Sequence, residues 1–259
     1  MQVMPRKLPV DAVLFDLDGT LLHTSPDIGR ALNRALTERG MPPIAPDAAQ
    51  GLIGGGSAVL VQRALSLLGL DDEAHTHSQV LRRYELAYES ICQSADGHLT
   101  QRCPGLEAAL DQLREMGIKL GVVTNKEMRF LEPLLLRFGL SGWFDIVVDG
   151  TTCAKRKPDP APLLHACEAL AVEPAHTLFV GDSICDVQAA QAAGMPVVCV
   201  SYGYSADHPV AELPCLHVID DLGELPELIG GQPQLRKLRR PAHAALAAQR
   251  QDDQPGYLI

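Results

Sequence analysis

The sequence predicts an α/β chain in which a doubly wound, Rossmann-like parallel sheet is interrupted by a helical insertion. Two patterns carry that expectation. Between Leu106 and Val200, short β-branched runs alternate with helical patterns, as right-handed βαβ units require. Between Ser25 and about Gly97 there is no convincing strand. Composition adds a third observation: 46% of the 259 residues are hydrophobic, which supplies one or two packed domains and excludes a disordered chain.

The elements follow in order. Val10–Phe15 (VDAVLF) is a β-branched and aromatic run that stops at the polar loop Asp16-Leu17-Asp18-Gly19-Thr20, so it reads as a buried strand. Helical patterns come next at Pro26–Arg39, Ser57–Leu68 and Asp71–Cys92, separated by Pro42-Pro43 and Gly54-Gly55-Gly56. Further strands are expected at Lys119–Thr124, Asp145–Val148, Thr177–Gly181 and Pro196–Val200. Helices are expected between them at Leu106–Met116, Glu127–Phe138, Ala161–Leu170 and Asp186–Ala193. Gly117, Gly139 and Gly194 stand where a left-handed cap ends a helix. The expected division is a core from 10–24 and 99–230, a helical cap from 25–98, and a tail from 231–259 forming a short amphipathic helix. In open α/β sheets ligands sit outside the carboxyl ends of the strands. The insertion leaves from that edge and is placed to act as a lid.

Charge and cysteine usage narrow the function classes. With 32 Asp+Glu against 22 Lys+Arg, the net charge of -10 argues against a nucleic-acid partner, which would favour a basic face. The longest apolar stretches, such as Pro196–Val200, fall far short of the roughly 20 residues of a membrane span. Met1–Val10 carries Arg6 and Lys7 but no apolar run of signal-peptide length, so a cytoplasmic protein is expected. Seven cysteines without a CxxC pair fit reduced thiols and give no support to zinc.

The chemistry concentrates at the strand ends. Asp16 and Asp18 are two apart, and residues i and i+2 of an extended chain share a side, so both carboxylates address one point. Asp182 and Asp186 follow a later strand in Gly181-Asp182-Ser183-Ile184-Cys185-Asp186. Carboxylates gathered this way repel one another unless a cation sits among them, and hard oxygen ligands favour Mg²⁺. Thr124-Asn125 closes the strand KLGVVT and Lys157 lies in Lys-Pro-Asp-Pro ahead of a helix; hydroxyl, backbone N–H and ammonium groups are what phosphate oxygens require. Taken singly, each piece is as well explained by a turn, a helix cap or a surface charge.

In combination and in this order, DxDGT, the strand-terminal Thr, Lys-Pro-x-Pro and GDSxxD resemble the haloacid dehalogenase superfamily. The insertion after the first motif, Leu52-Ile53-Gly54-Gly55-Gly56-Ser57 and the run Asp186–Gly194 look like phosphoglycolate phosphatases within it. The resemblance covers about Asp11 to Gly230. It implies Asp16 as nucleophile and Asp18 as general acid and base. It implies Mg²⁺ held by Asp16, the backbone carbonyl of Asp18 and Asp182, with Asp186 and Ser183 supporting from outside the ligands. Thr124, Asn125 and Lys157 would hold the phosphoryl group of a small phosphorylated metabolite, 2-phosphoglycolate first. His23 stands where family members often have Asp, and Cys185 where they often have Asn; both are expected to be structural.

Other substrates remain open at this level: a sugar phosphate such as N-acetylmuramic acid 6-phosphate, pyrophosphate, or transfer within a sugar as in a phosphomutase. A decayed, non-enzymatic scaffold would show damage at a catalytic position, and none is damaged. Imine chemistry from a cap lysine is excluded, because no lysine occurs between Thr24 and Arg102. The cap arginines Arg30, Arg34, Arg63, Arg82 and Arg83 are candidates for a substrate carboxylate, which a guanidinium fork matches. Monomer and homodimer are both compatible with the sequence.

Overall fold

A computed structural model describes residues 7–70, 74–94, 96–204 and 209–230. Its centre is a six-stranded, wholly parallel sheet of β1 (Ala12–Phe15), β2 (Lys119–Val123), β3 (Ile146–Val148), β4 (Thr177–Gly181), β5 (Val197–Val200) and β6 (His217–Ile219), in the order β3-β2-β1-β4-β5-β6. β1 lies in the middle, with Phe15 opposite Val122 on one side and Val180 on the other.

Every residue of β1, β4 and β5 is buried, as expected for parallel strands covered on both faces. The period of two then divides the side chains. Val13 and Phe15 join one apolar cluster with Leu106, Leu110 and Leu113 of α5 (Leu106–Glu115) and Phe130, Leu131 and Leu134 of α6 (Met128–Arg137). Ala12 and Leu14 join another with Leu163, Ala166 and Leu170 of α7 (Ala161–Leu170) and Val187 and Ala190 of α8 (Ile184–Ala192). Each fully buried Leu, Val or Phe contributes about 1.5–3 kcal/mol relative to exposure. The polar residues that follow each strand are thereby held along one edge.

The insertion is helical throughout: α1 (Ser25–Thr37), α2 (Pro46–Gln50), α3 (Ser57–Leu67) and α4 (Ala74–Gln93). Ile28, Leu32, Leu36, Leu60, Val61, Leu65, Val80, Tyr84 and Tyr88 extend the first apolar cluster out of the sheet and into these helices. Entry and exit strands of the insertion pair antiparallel, Leu22 with Arg102 and His23 with Gln101. Asp27, buried in the first turn of α1, clamps the returning chain. Its carboxylate accepts from the Leu99 and Thr100 N–H groups (3.0 and 2.9 Å) and from Thr100 Oγ1 (2.7 Å), and pairs with Arg30 at 3.1 Å. Asp27→Ala leaves these buried donors unsatisfied and is expected to cost about 2–3 kcal/mol. Thermal unfolding checks this as a fall in Tm of several degrees.

Several short elements escaped the sequence, among them the Leu22–His23 and Gln101–Arg102 strands, β6 and α2. β6 is a three-residue strand with His217 and Val218 exposed, and α2 is only five residues long. Both are too short to show a period. The expected helix from Asp71 is seen from Ala74, with 71–73 outside the described residues, and the tail 231–259 also lies outside them. Among the described residues, no helix is long and apolar enough to cross a membrane.

Candidate active site

The strand ends converge. Asp16 continues β1, its N–H donating to the Val180 carbonyl at 2.9 Å. Leu17 turns into the apolar cluster, so Asp16 and Asp18 face the other way, and both line one cavity. Gly19, at φ +84°, makes the turn beneath them, and a Cβ there would sit 2.4 Å from Asp182 Oδ2. Only glycine allows both the backbone conformation and that approach.

Behind Asp16, β4 delivers Asp182 and α8 begins. Ser183 caps α8, and its Oγ donates to Asp186 Oδ2 at 2.7 Å; the Ser183 and Asp182 N–H groups donate to the same oxygen at 3.1 and 3.2 Å. Lys157 Nζ, fully buried, takes the other oxygen, lying 2.7 Å from Asp186 Oδ1 and 2.9 Å from Asp16 Oδ1. The Asp182 carboxylate accepts from the Tyr204 N–H at 2.5 Å.

Charges so placed shift one another. Burial, opposed by Lys157 and reinforced by Asp186 and Asp18, pushes Asp16 up to about 6 from its ordinary 3.8. Burial with Asp186 and Asp16 alongside pushes Asp182 well up. Asp186 goes the other way: burial would raise it, but Lys157 and the Ser183 hydroxyl hold it below the usual carboxylate range. Burial would lower Lys157, yet Asp16 and Asp186 outweigh it and raise it.

This donor set fits a divalent cation. Oxygens of Asp16, Asp182 and Asp186 lie within 4.8 Å of one another, and Asp16 Oδ1 has no aligned hydrogen bond despite its ion pair with Lys157. Asp186 is already engaged on both oxygens, which leaves Asp16 and Asp182 as carboxylates with free lone pairs. The raised Asp16 gives a sign for the test. A carboxyl raised in the fold stabilises it fully below the unfolded value of 3.8, and that contribution is lost as pH rises through about 6. A cation bound there would take the place of the proton above that window. Mg²⁺ at about a hundredfold its Kd should therefore add about 2.7 kcal/mol near pH 7.5, seen as a Tm rise of several degrees, and little near pH 4.5.

The other wall belongs to β2. Thr124, buried at its end, accepts the Lys126 N–H on Oγ1 at 3.3 Å. The Asn125 side chain is spent on the protein: Nδ2 donates to the carbonyls of Gly54 and Lys157, both at 2.9 Å, and Oδ1 accepts the Lys157 N–H at 3.0 Å. The Asn125 side chain thus pins the Lys157 loop and touches the insertion. Two residues escaped the sequence here. Lys126 Nζ reaches both oxygens of Asp18, at 3.0 and 2.9 Å, while Thr24 Oγ1 donates to Asp18 Oδ1 at 2.6 Å. Glu127 accepts from Ser57 Oγ at 2.9 Å and Arg156 Nη2 at 3.2 Å, joining the insertion to the sheet edge. Lys126 was detectable only as a third polar residue directly after Thr124-Asn125.

The family comparison now bears on this edge. Residues 13–200 match the model of the haloacid dehalogenase-like hydrolases. The chain belongs to that family. This hydrolase is 44% identical over 222 residues to a phosphoglycolate phosphatase of Nitrosospira multiformis, covering 86% of this chain and 96% of the relative. It is 39% identical over 218 residues to one of Thiobacillus denitrificans, covering 84% and 94%. With these relatives spanning most of its length, it falls in the phosphatase class of hydrolases. Among solved structures, a predicted phosphoglycolate phosphatase from Haemophilus somnus superposes with a TM-score of 0.78 at 29% identity, covering 85% of this chain and 98% of that one.

The remaining expectations sort by position. His23 Nδ1 lies 3.3 Å from the Tyr204 hydroxyl, which also accepts the Ser25 N–H at 3.0 Å, so it packs at the mouth of the insertion. Burial pushes the Cys185 thiol up to about 12, which makes it a poor thiolate. All seven cysteines are free. The cap arginines do not meet Asp16 and Asp18: Arg30 binds Asp27, Arg34 and Arg83 bind Glu38, and Arg82 is exposed. Arg63 donates to the carbonyls of Leu52 and Ile53 and borders a neighbouring cavity of about 470 Å³.

Proposed function

We propose that this hydrolase is a divalent-cation-dependent phosphatase that cleaves 2-phosphoglycolate to glycolate and phosphate through an aspartyl-phosphate on Asp16. The observation that carries the reading is the pairing of Asp16 and Asp18 on one cavity, with Lys157 beside Asp16 and Thr124 across from it. The relatives' names support the choice of substrate. The proposed division is a core of 10–24 and 99–230 under a cap of 25–98. The seven free thiols support a cytoplasmic setting.

The chemistry follows from the side chains. Asp16 attacks phosphorus in line; Lys157 and Thr124 hold the equatorial oxygens, so positioning and fixed charge supply most of the rate. Asp18 gives its proton to the leaving alcohol oxygen as the P–O bond breaks. It then takes a proton from the water that attacks the aspartyl-phosphate, releasing phosphate and restoring Asp16. Mg²⁺, which Asp16, the backbone carbonyl of Asp18 and Asp182 would hold, supplies positive charge against the phosphoryl oxygens when bound. Asp186 keeps Lys157 in place.

A side-by-side assay of 2-phosphoglycolate, N-acetylmuramic acid 6-phosphate, a hexose phosphate and pyrophosphate, with and without Mg²⁺, tests the reading. It predicts the highest kcat/KM for 2-phosphoglycolate and no turnover without the cation. A preference for a sugar phosphate, or isomerised sugar phosphate without released phosphate, overturns it.

A further inference from the structure

We infer that Lys126 is the residue that selects a carboxylate on the leaving group. This rests on the reading of the chain as a phosphatase for a small carboxylated ester and adds to it the side chain that reads the carboxylate. Arg30, Arg34, Arg63 and Arg83 engage other partners, Arg82 is exposed, and none of the five lines the cavity of Asp16 and Asp18. The cavity bordered by Asp16 and Asp18 is otherwise lined by apolar and aromatic side chains such as Ile53, Leu60, Tyr84 and Tyr88, by small polar residues, and by acids. Lys126 is the cation among these lining residues, and its side chain is only 4% exposed.

Its geometry suits the task. Nζ meets the two oxygens of Asp18 at 3.0 and 2.9 Å and lies 4.7 Å from the centre of the Tyr88 ring, which belongs to the insertion. An ammonium has three donors, so one is left after Asp18 is served. The position also matches the reaction. An ester attacked by Asp16 must turn its bridging oxygen toward Asp18, the proton donor. The α-carbon and carboxylate of the leaving group come next along the chain, on the side where Lys126 already contacts Asp18. Beside a largely buried ammonium a carboxylate gains a charge-assisted hydrogen bond that a neutral group cannot make. A neutral ester leaves the third donor facing an apolar wall.

The probe is a pair of esters: 2-phosphoglycolate and ethyl phosphate, which has a methyl in place of the carboxylate. Because Lys126 also holds Asp18, Lys126→Met is expected to lower kcat for both, so the readout is the ratio of their kcat/KM values. The wild type should favour 2-phosphoglycolate, and Lys126→Met should reduce that preference about 10- to 100-fold, mostly through KM for the carboxylated ester. Lys126→Arg, which keeps the charge, should retain most of it. Lys126→Gln gives the same reading should the Met variant not fold. A wild type that prefers the carboxylated ester while both neutral variants keep the full preference overturns the role of Lys126 and leaves the proposed function standing. A wild type that shows no preference overturns the function and the inference together.

Discussion

Asp16→Asn lowers phosphatase turnover by about 10⁴-fold or more while leaving the fold intact. The amide is nearly isosteric with the carboxylate, but its neutral oxygen is a poor nucleophile toward phosphorus, and removing a covalent nucleophile costs losses of this order. The stability of the variant should hold or rise. Asp16 sits buried among Asp186, Asp18 and Asp182, and burial already pushes its pKa to about 6, so a neutral side chain relieves repulsion. Steady-state kinetics and thermal unfolding on the same preparation check both halves.

Lys157→Met comes second, and it should damage both activity and stability. Nζ lies between Asp186 and Asp16 at 2.7 and 2.9 Å and packs 5.1 Å from the centre of the Phe179 ring. Methionine fills the space but leaves buried carboxylates without their cation, a break that costs about 3–5 kcal/mol. Losing a fixed charge at the phosphoryl oxygens should lower kcat about 10²- to 10³-fold. Asp186, whose pKa is held down largely by Lys157, should then titrate higher, so the variant should lose stability as pH rises through that range. Added Mg²⁺ should recover part of the lost Tm, because a second cation meets the same carboxylates.

The contrast between these residues and Lys126 explains what the sequence made legible. Asp16, Asp18, Asp182 and Asp186 sit in short contiguous motifs directly after buried strands, where position along the chain fixes position in space. Lys157 was found through its Lys-Pro-x-Pro setting, although its two carboxylate partners are 29 and 141 residues away in sequence. Lys126 carries no such setting. Its role is set by Asp18, 108 residues earlier, and by Tyr88 in the insertion, and no local pattern encodes that meeting. Thr124-Asn125 reads as a phosphate site through a hydroxyl and backbone N–H groups, and no local pattern foretells that the Asn125 side-chain amide is taken by Gly54 and the Lys157 loop. The cap arginines were left open for a related reason: a helical stretch shows which residues share a stripe, not that Glu38 collects Arg34 and Arg83. For the fold, long alternations of strand and helix were legible, whereas β6 and α2 were too short to carry a period.

The central claim is that Asp16 carries the phosphoryl group between two half-reactions served by Asp18. Asp18→Asn removes the acid of the first half and the base of the second, so with labelled acetyl phosphate, whose carboxylate leaving group departs without a proton, the intermediate should form and accumulate when enzyme and Mg²⁺ are mixed with it and quenched in acid. The expected result is one phosphoryl group per chain, mapped by peptide mass spectrometry to Asp16 and absent from Asp16→Asn. Label on any other residue, or turnover by Asp16→Asn at the wild-type rate, contradicts the account.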